Sequence, residues 1–194
     1  MTRASLRQDT SGASLVEFAL VIPTFLLLVM GICDIAYQAY VQAVLTGAVQ
    51  KAGRDGTVQN ASTSSVDNAV LSQIRATAPQ AAFASGYPIR KSYSQFGDVG
   101  PEPFVDLNAN GSHDVGECFT DVNDNGSWDQ DPGGNGQGGA NDVVVYTVSI
   151  TYPRLFPLQA IMGWAANGTL SATTMLKNQP YSAQVAKTYP TVCA

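Results

Sequence analysis

Charged residues are scarce in this chain. Only 13% of its 194 residues are Asp, Glu, Lys or Arg, about half the share found in an ordinary soluble domain. A single histidine excludes sites built from several histidines, and the sequence lacks the nucleophile elbow, phosphate loop and cysteine–histidine patterns of enzymes. An excess of acids, 15 against 10 bases, argues against a nucleic-acid-binding protein, which would carry a basic patch. We therefore expect a protein without catalytic activity.

The few charges are also unevenly distributed. Residues 92–153 hold ten acids and no Lys or Arg, so the rest of the chain holds five acids and all ten bases. The formal net charge of -5 is thus the sum of -10 in one segment and +5 elsewhere. The length and the 45% hydrophobic content suffice for one domain with its own core and exclude a wholly disordered chain. The acidic segment and the remainder need separate explanations.

The longest apolar run extends from Ala13 to Cys33 and contains one charged residue, Glu17. A helix rises ~1.5 Å per residue, so the run would cover ~30 Å, the thickness of a bilayer core. Two arginines precede the run and are expected to stay in the cytoplasm, which places everything after Asp34 on the other side. The run predicts a single transmembrane helix.

Three interpretations compete for this run. A cleaved secretory signal would have an apolar region of ~7–15 residues followed by a small-residue cleavage site, and the sequence 31–34 is a poor one. A plain membrane anchor fits the length but leaves Glu17 unexplained, because an ionisable residue within a membrane span is by default a candidate functional residue. Glu17 also lies one turn inside the helix, near enough to the headgroups to be partly solvated. The third interpretation gives Glu17 a function.

The segment Gly12-Ala-Ser-Leu-Val-Glu-Phe18, followed by an apolar helix containing Pro23, resembles the processing site of type IV-like prepilins. It is most similar to that of TadE-like proteins (the TadE/TadG family), the pilin-like components of the tight-adherence (Flp) pilus assembly system. The resemblance implies cleavage by a prepilin peptidase after Gly12, so that Ala13 becomes the amino terminus and Glu17 the fifth residue. A buried carboxylate needs a positive partner, and the free amine of a neighbouring subunit would supply it during assembly.

The resemblance implies a non-enzymatic minor pilin or pseudopilin of the bacterial inner membrane, with its carboxyl-terminal domain in the periplasm or, after incorporation, in an extracellular pilus. Its implied partners are the membrane, other pilin-like subunits, the assembly machinery and the prepilin peptidase. Whether the subunit enters the pilus, caps it or stays in the membrane is left open. An alternative from another class is an unprocessed, membrane-anchored periplasmic module that binds calcium and a partner.

The spacing of apolar residues predicts the secondary structure of the chain after the apolar run. The helix should continue to about residue 52, with Gly53 and Gly56 as its stop, and a second helix should begin near Ser64 and end before Pro79. Residues 142–152 alternate as a strand does, and residues 169–176 and 87–96 are weaker strand candidates. We predict an α+β fold, namely a long helix (13–56, after a leader, 1–12) followed by a small antiparallel-sheet domain (57–194) with a calcium-loop insertion (98–142).

That insertion contains a repeat with a period of fifteen residues. Its spacing matches the calcium loop of an EF-hand, which supplies ligands from positions 1, 3, 5, 7, 9 and 12 and has Gly at position 6. The first copy matches at every position, with the ligands Asp106, Asn108, Asn110, the Ser112 carbonyl, Asp114 and Glu117. The second supplies Asp121, Asn123, Asn125, the Ser127 carbonyl and Asp129. Its twelfth residue is Pro132, which cannot be a ligand, so Asp131 or Asp142 is expected to substitute.

The repeat also raises the roles of its position 8 and of bound metal. His113 and Trp128 share position 8, which we interpret as a packing position and not a ligand. Without flanking amphipathic helices, the loops resemble short extracellular calcium sites, and the alternative is a solvated turn region, since Asn, Asp and Gly dominate turns. Structural calcium is the cofactor that we predict.

The Gly-rich segment 132–140 lies between the repeat and the predicted strand at 142–152. It is expected to be a flexible connection into that strand.

The three cysteines divide between two environments. Cys33 lies in the membrane run, where an inert apolar role is expected. Cys118 and Cys193 would both be exported into a compartment where disulfides persist. We predict a bond between them that ties the carboxyl tail to the acidic insertion.

Overall fold

The computed structural model describes residues 12–57, 62–157, 159–180 and 188–193, and the predicted leader before Gly12 lies outside them. A helix of 44 residues, α1 (Ala13–Gly56), forms the spine and continues through Pro23. Its amino-terminal half is long and apolar enough to cross a membrane, and none of its most apolar stretch is buried within the chain. Its second half presents one buried face at helical spacing, with the residues Val41, Leu45, Ala48, Val49 and Ala52.

A second helix, α2 (Thr63–Arg75), packs against this face of α1. Its apolar side buries Val70 and Ile74. The amino-terminal cap is Ser62, whose hydroxyl oxygen accepts a bond from the Ser65 N–H at 3.4 Å. The helix therefore begins slightly earlier than the predicted start near Ser64, because a different serine of the same polar segment provides the cap. It ends before Pro79, as predicted.

The sheet is antiparallel and is centred on β5 (Val143–Pro153). Strand β6 (Asn167–Lys177) pairs with β5 along its whole length, after a connection that contains the short helix α3 (Gln159–Met162). On the other side of β5 lie β1 (Ala82–Phe83) and β2 (Ile89–Tyr93), and β4 (Gly134–Asn135) extends the sheet beyond β2. The predicted α+β architecture, a long helix followed by a small antiparallel sheet, is confirmed.

The core lies between this sheet and the two helices. Alternate residues of β5 point at α1, because side chains of a strand alternate between the faces of the sheet. The core-facing set is Tyr146, Val148, Ile150 and Tyr152, all buried with the apolar face of α1. The alternation predicted from the sequence is present in β5, and the structure shows which of its two sets faces α1.

A second, smaller sheet joins the insertion to the end of the chain. Strand β3 (Cys118–Thr120) pairs antiparallel with β7 (Thr191–Cys193), in a register that sets Cys118 opposite Cys193. These two cysteines form the predicted disulfide, with an S–S distance of 2.06 Å. The Gly-rich segment is more ordered than predicted, because it contributes β4 and because Gln137 donates a hydrogen bond to the Gly56 carbonyl at 2.7 Å.

Candidate functional site

The predicted processing site lies where α1 begins. Gly12 is the residue before the first helical turn, and its carbonyl accepts the Val16 N–H at 3.2 Å. Gly12 and Ala13 are both exposed. Glu17 lies one turn into the helix and is also exposed, and no described residue of this chain forms an ion pair or hydrogen bond with it.

The first acidic loop is held closed by its own side chains. Both oxygens of Asp106 accept backbone N–H groups, from Asn110 at 3.2 Å and from Gly111 at 2.7 Å. At the other end of the loop, Asp114 Oδ2 accepts the side-chain amides of Asn108 and Asn110 at 2.8 and 2.7 Å. Of the predicted ligands, Asp114, Asn108 and Asn110 are therefore in direct contact, while Asp106 binds the backbone of the same loop.

The second loop repeats these bonds fifteen residues later. Asp121 accepts the N–H groups of Asn125 and Gly126 at 3.1 and 2.7 Å, and Asp129 accepts the amides of Asn123 and Asn125 at 2.7 and 2.5 Å. The serines at position 7 form equivalent bonds, since the Ser112 and Ser127 N–H groups donate to the side-chain oxygens of Asn110 and Asn125, both at 2.7 Å. The sequence repeat is a structural repeat.

Backbone angles agree at the same positions. Ala109 and Asp124, at position 4, have φ angles of 58° and 61°, and Gly111 and Gly126, at position 6, have φ angles of 77° and 76°. Glycine adopts this left-handed conformation without steric cost, which explains why position 6 is glycine in both copies. Two loops of different sequence therefore have one backbone conformation.

In each loop the backbone N–H groups of positions 2 and 9 donate to one glutamate, which we describe as completing the loop. Glu117, the twelfth residue of the first loop, accepts the Leu107 N–H at 2.8 Å and the Asp114 N–H at 2.9 Å. In the second loop the equivalent donors are Val122 and Asp129, and both donate to Glu102, at 2.7 and 2.9 Å. Glu102 therefore takes the place that Pro132 cannot fill.

The two residues expected to substitute for Pro132 have other partners. Asp131 pairs with Lys91 at 2.5 Å and accepts the Tyr93 hydroxyl at 2.7 Å, which ties the insertion to β2. Asp142 accepts the Gly139 N–H at 2.6 Å in the turn before β5. In this structure both acids therefore bind the sheet and its entry turn, while Glu102 completes the loop.

Sequence reasoning missed Glu102, although a signal for it was present. Glu102 precedes Glu117 by fifteen residues, and Phe104 precedes Phe119 by the same interval. The repeat thus begins four residues before Asp106. Each glutamate precedes one loop in sequence and completes the other, so a search confined to residues after the second loop could not find it.

The two loops pack face to face through position 8. The rings of His113 and Trp128 are stacked, with centroids 5.0 Å apart and planes at 11°, and Phe104 meets both rings edge-on. The ring nitrogens are equivalent as well. Trp128 Nε1 donates to the Glu102 carbonyl at 2.9 Å, and His113 Nε2 lies 3.2 Å from the Glu117 carbonyl. The packing role predicted for position 8 agrees with these contacts.

Backbone hydrogen bonds also join the two copies of the repeat in an equivalent way. The Val105 N–H donates to the Cys118 carbonyl and the Thr120 N–H donates to the Pro103 carbonyl, both at 2.8 Å. These are the same bond in the two repeats. The pair of loops therefore has approximate twofold symmetry about the contact between Phe104 and Phe119.

The electrostatics of the loops follow from these bonds. The amide donors of Asn108 and Asn110 lower the pKa of the Asp114 carboxyl. Burial acts to raise the pKa of Asp121, but several backbone N–H donors outweigh it, so that the pKa of this carboxyl is lowered as well. Both groups are thereby kept ionised, as a cation ligand must be.

The ligand atoms predicted for both loops are oxygens of carboxylates, amides and carbonyls, the hard ligands that calcium prefers. Among the described residues, however, no three His, Cys, Asp or Glu side chains form a group arranged to hold a metal ion. In each loop the amide hydrogens of two asparagines point at the carboxylate of position 9. A bound cation would have to replace those amide hydrogens.

In this chain an apolar helix that begins at Ala13, and that is long and apolar enough to cross a membrane, carries a small antiparallel-sheet domain. Residues 12–54 match the family model described as TadE-like protein, which confirms the resemblance seen in the sequence. The matched range coincides with α1, while the sheet domain and the acidic loops lie outside it. No curated protein and no solved structure matches the chain.

Proposed function

We propose that this chain is a minor pilin or pseudopilin of a tight-adherence (Flp) pilus system, processed after Gly12 and anchored by α1 in the bacterial inner membrane. The observation that carries the proposal is the TadE-like match over residues 12–54, which starts at the proposed cleavage site. Exposure of the Gly12–Ala13 bond at the start of α1 supports it, since a peptidase must reach that bond.

Mass spectrometry of the full chain, expressed with and without the prepilin peptidase, tests the processing. We expect the peptidase to yield a chain beginning at Ala13, and substitution of Gly12 by Leu to prevent cleavage. Gly47→Leu, at an exposed glycine on the same helix, is the matched control and should be cleaved normally. An intact Met1 in the presence of the peptidase would contradict the proposal and would favour the unprocessed anchored module.

Glu17 is proposed to pair with the amino terminus of a neighbouring subunit. Its exposure and its lack of a partner among the described residues support this role, because a carboxylate in a membrane span is costly unless it is paired. Glu17→Ala should reduce cross-linking between neighbouring subunits and leave the thermal midpoint of the exported domain unchanged. Undiminished cross-linking would count against the pairing.

We further propose that the two loops bind calcium and that this binding stabilises the exported domain. The support is the twofold agreement of the loops in ligand type, backbone angles and hydrogen bonds, with Glu102 and Glu117 as the acids of the second and first loop. Residues 92–153 hold ten acids and no base, and two Ca²⁺ ions would offset four of those charges. Extracellular calcium modules bind at ~10⁻⁴–10⁻³ M, so we expect a structural and not a signalling role.

Melting of the full chain in detergent, with millimolar calcium or with chelator, tests this proposal. Calcium should raise the midpoint, and Asp106→Asn together with Asp121→Asn should abolish the rise. Asp55→Asn removes a carboxylate from an exposed pair with Lys51 on α1 and is the matched control, which should respond to calcium like the natural chain. A midpoint that does not depend on calcium would refute the proposal and leave the loops as turns.

A further inference from the structure

The connection between β5 and β6 exposes several large apolar side chains. Leu155 is 51% exposed, Ile161 is 67% exposed and Met162 is 44% exposed. Residues 154–166 include one charged residue, Arg154, and no acid. Such a concentration of exposed apolar groups marks an interaction surface rather than ordinary solvent-facing chain.

The position of this connection is set by α1. Asp34 is the first charged residue after the apolar run and is only 2% exposed. Its carboxylate accepts Arg154 Nη1 at 2.5 Å and the Leu155 N–H at 3.2 Å. The apolar connection therefore begins at the level where the predicted membrane span ends.

The charged and aromatic groups beside it are those of a membrane surface. Arg154 lies over the ring of Trp164, with its guanidinium carbon 5.0 Å from the ring centroid, and Trp164 is half-buried. Tryptophan is enriched at the boundary between lipid and water because its ring is apolar and its N–H is polar. The charge of Arg154 is balanced by Asp34, so the connection can approach lipid without an unpaired ion.

We propose that the β5–β6 connection docks on the outer surface of the same bilayer that α1 spans, with Leu155, Ile161, Met162 and Trp164 in the headgroup region. This inference rests on the proposed membrane insertion of α1. Continuity with the end of the span, through Asp34, favours lipid over a protein partner as the occupant. The sheet domain would then be held at the membrane by two contacts, the helix and this connection.

Tryptophan fluorescence of the full chain in vesicles of phosphatidylethanolamine and phosphatidylglycerol tests the docking. The chain has two tryptophans, so Trp128→Phe leaves Trp164 as the reporter and Trp164→Phe leaves Trp128 as the matched control. With lipids brominated near the headgroup, Trp164 should lose emission, because tryptophan at the lipid–water boundary lies within reach of the bromines, while Trp128, in the acidic insertion, should keep its emission. Ile161→Asp should reduce the quenching of Trp164 without releasing the chain from the vesicles.

Flotation of the vesicles distinguishes a failure of the proposed membrane insertion of α1 from a failure of the proposed docking. If the chain does not float with them, the insertion of α1 is wrong. If it floats but Trp164 is quenched by aqueous iodide and not by brominated lipid, the docking is wrong while the insertion stands. Protection of Trp164 from iodide without lipid quenching would mean that protein, either this chain or a second copy of it, covers the ring, and would likewise overturn the docking.

Discussion

Glu102 and Glu117 make the same hydrogen bonds in the two acidic loops. Glu117 accepts the N–H groups of positions 2 and 9 of the first loop, and Glu102 accepts those of positions 2 and 9 of the second. Both are buried, with exposed fractions of 1% and 3%. The first loop is completed by its own twelfth residue, whereas the second loop takes its glutamate from the segment that precedes the first. The second loop therefore depends on a residue that lies before the first loop in the sequence.

The first prediction concerns Glu102. Glu102→Gln keeps an acceptor oxygen for the backbone donors but removes one negative charge, and affinity in such loops depends on the charge of the ligands. We expect calorimetry to show calcium binding to the second loop weakened about tenfold or more, with binding to the first loop retained. Asp131→Asn removes a charge from the neighbouring acid that binds Lys91 and Tyr93 and should retain both sites. The reverse result, with only Asp131→Asn losing a site, would mean that Asp131 is the ligand.

The disulfide provides the second prediction. It joins residues 75 positions apart and connects the insertion to the end of the chain through β3 and β7. Removal of a native bond of this span costs about 2–5 kcal/mol, so Cys193→Ser should lower the denaturation midpoint of the exported domain and weaken calcium binding. Cys33→Ser, at the free and exposed cysteine of α1, is the control and should change neither quantity. Equal midpoints for both variants would contradict a stabilising role.

The ion pair between Asp34 and Arg154 gives the third prediction. Asp34→Asn leaves Arg154 without its counter-charge, and breaking a buried pair costs about 3–5 kcal/mol. The loss should lie near the lower limit, because 21% of the Arg154 side chain is exposed. A double-mutant cycle with Arg154→Gln, measured by urea denaturation in detergent, should give a favourable coupling energy. A coupling energy near zero would mean that the pair does not hold the domain to α1.

Local signals were sufficient for much of this structure. The spine helix and the strand at 142–152 both follow from short-range periodicity. Asp34 was not identified as a structural residue, because its partner Arg154 lies 120 positions away in the chain and single-residue patterns carry no such information. Glu102 was missed although the fifteen-residue repeat includes it, because it lies before the first loop and completes the second. The cap at Ser62 and the short strands β1 and β4 also depend on tertiary contacts. The candidate ligands of both loops could be listed from the sequence because one repeat unit holds nearly all of them.

Two glycines of α1 provide the fourth prediction. A Cβ atom at Gly53 would lie 2.3 Å from Leu176 Cδ1 and 2.7 Å from Thr174 Cγ2, whereas one at Gly47 would meet nothing within 4 Å. Alanine gains helix propensity equally at both positions, so this gain cancels in a comparison. We expect Gly53→Ala to be less stable than Gly47→Ala by about 1–3 kcal/mol, the usual cost of overpacking. Equal stabilities would show that β6 moves away from α1 without cost.

The final prediction concerns alkaline pH. Burial raises the pKa of Tyr146, and its hydrogen bond to Asp67, at 2.6 Å, raises it further. Burial and Asp131 act in the same direction on the pKa of Tyr93. An unfolded tyrosine titrates near pH 10, so a folded pKa above that value stabilises the fold at lower pH. This contribution is lost as the pH rises from about 10 through the folded pKa. Absorbance at about 295 nm should therefore show a late ionisation step that coincides with unfolding.

Tyr146→Phe isolates one member of that late step. It keeps the ring beneath Arg90, 4.3 Å from the guanidinium carbon to the ring centroid, and keeps the Arg90–Asp67 pair, while it removes the titrating hydroxyl. The late step should shrink by one phenolate, and the denaturation midpoint should fall less between pH 8 and pH 11 than in the natural chain. Because the phenol is neutral at pH 8 in both the folded and the unfolded chain, the charge of Tyr146 contributes no pH dependence there. A late step of unchanged size would show that Tyr146 ionises with the exposed tyrosines, and that its bond to Asp67 does not hold the proton.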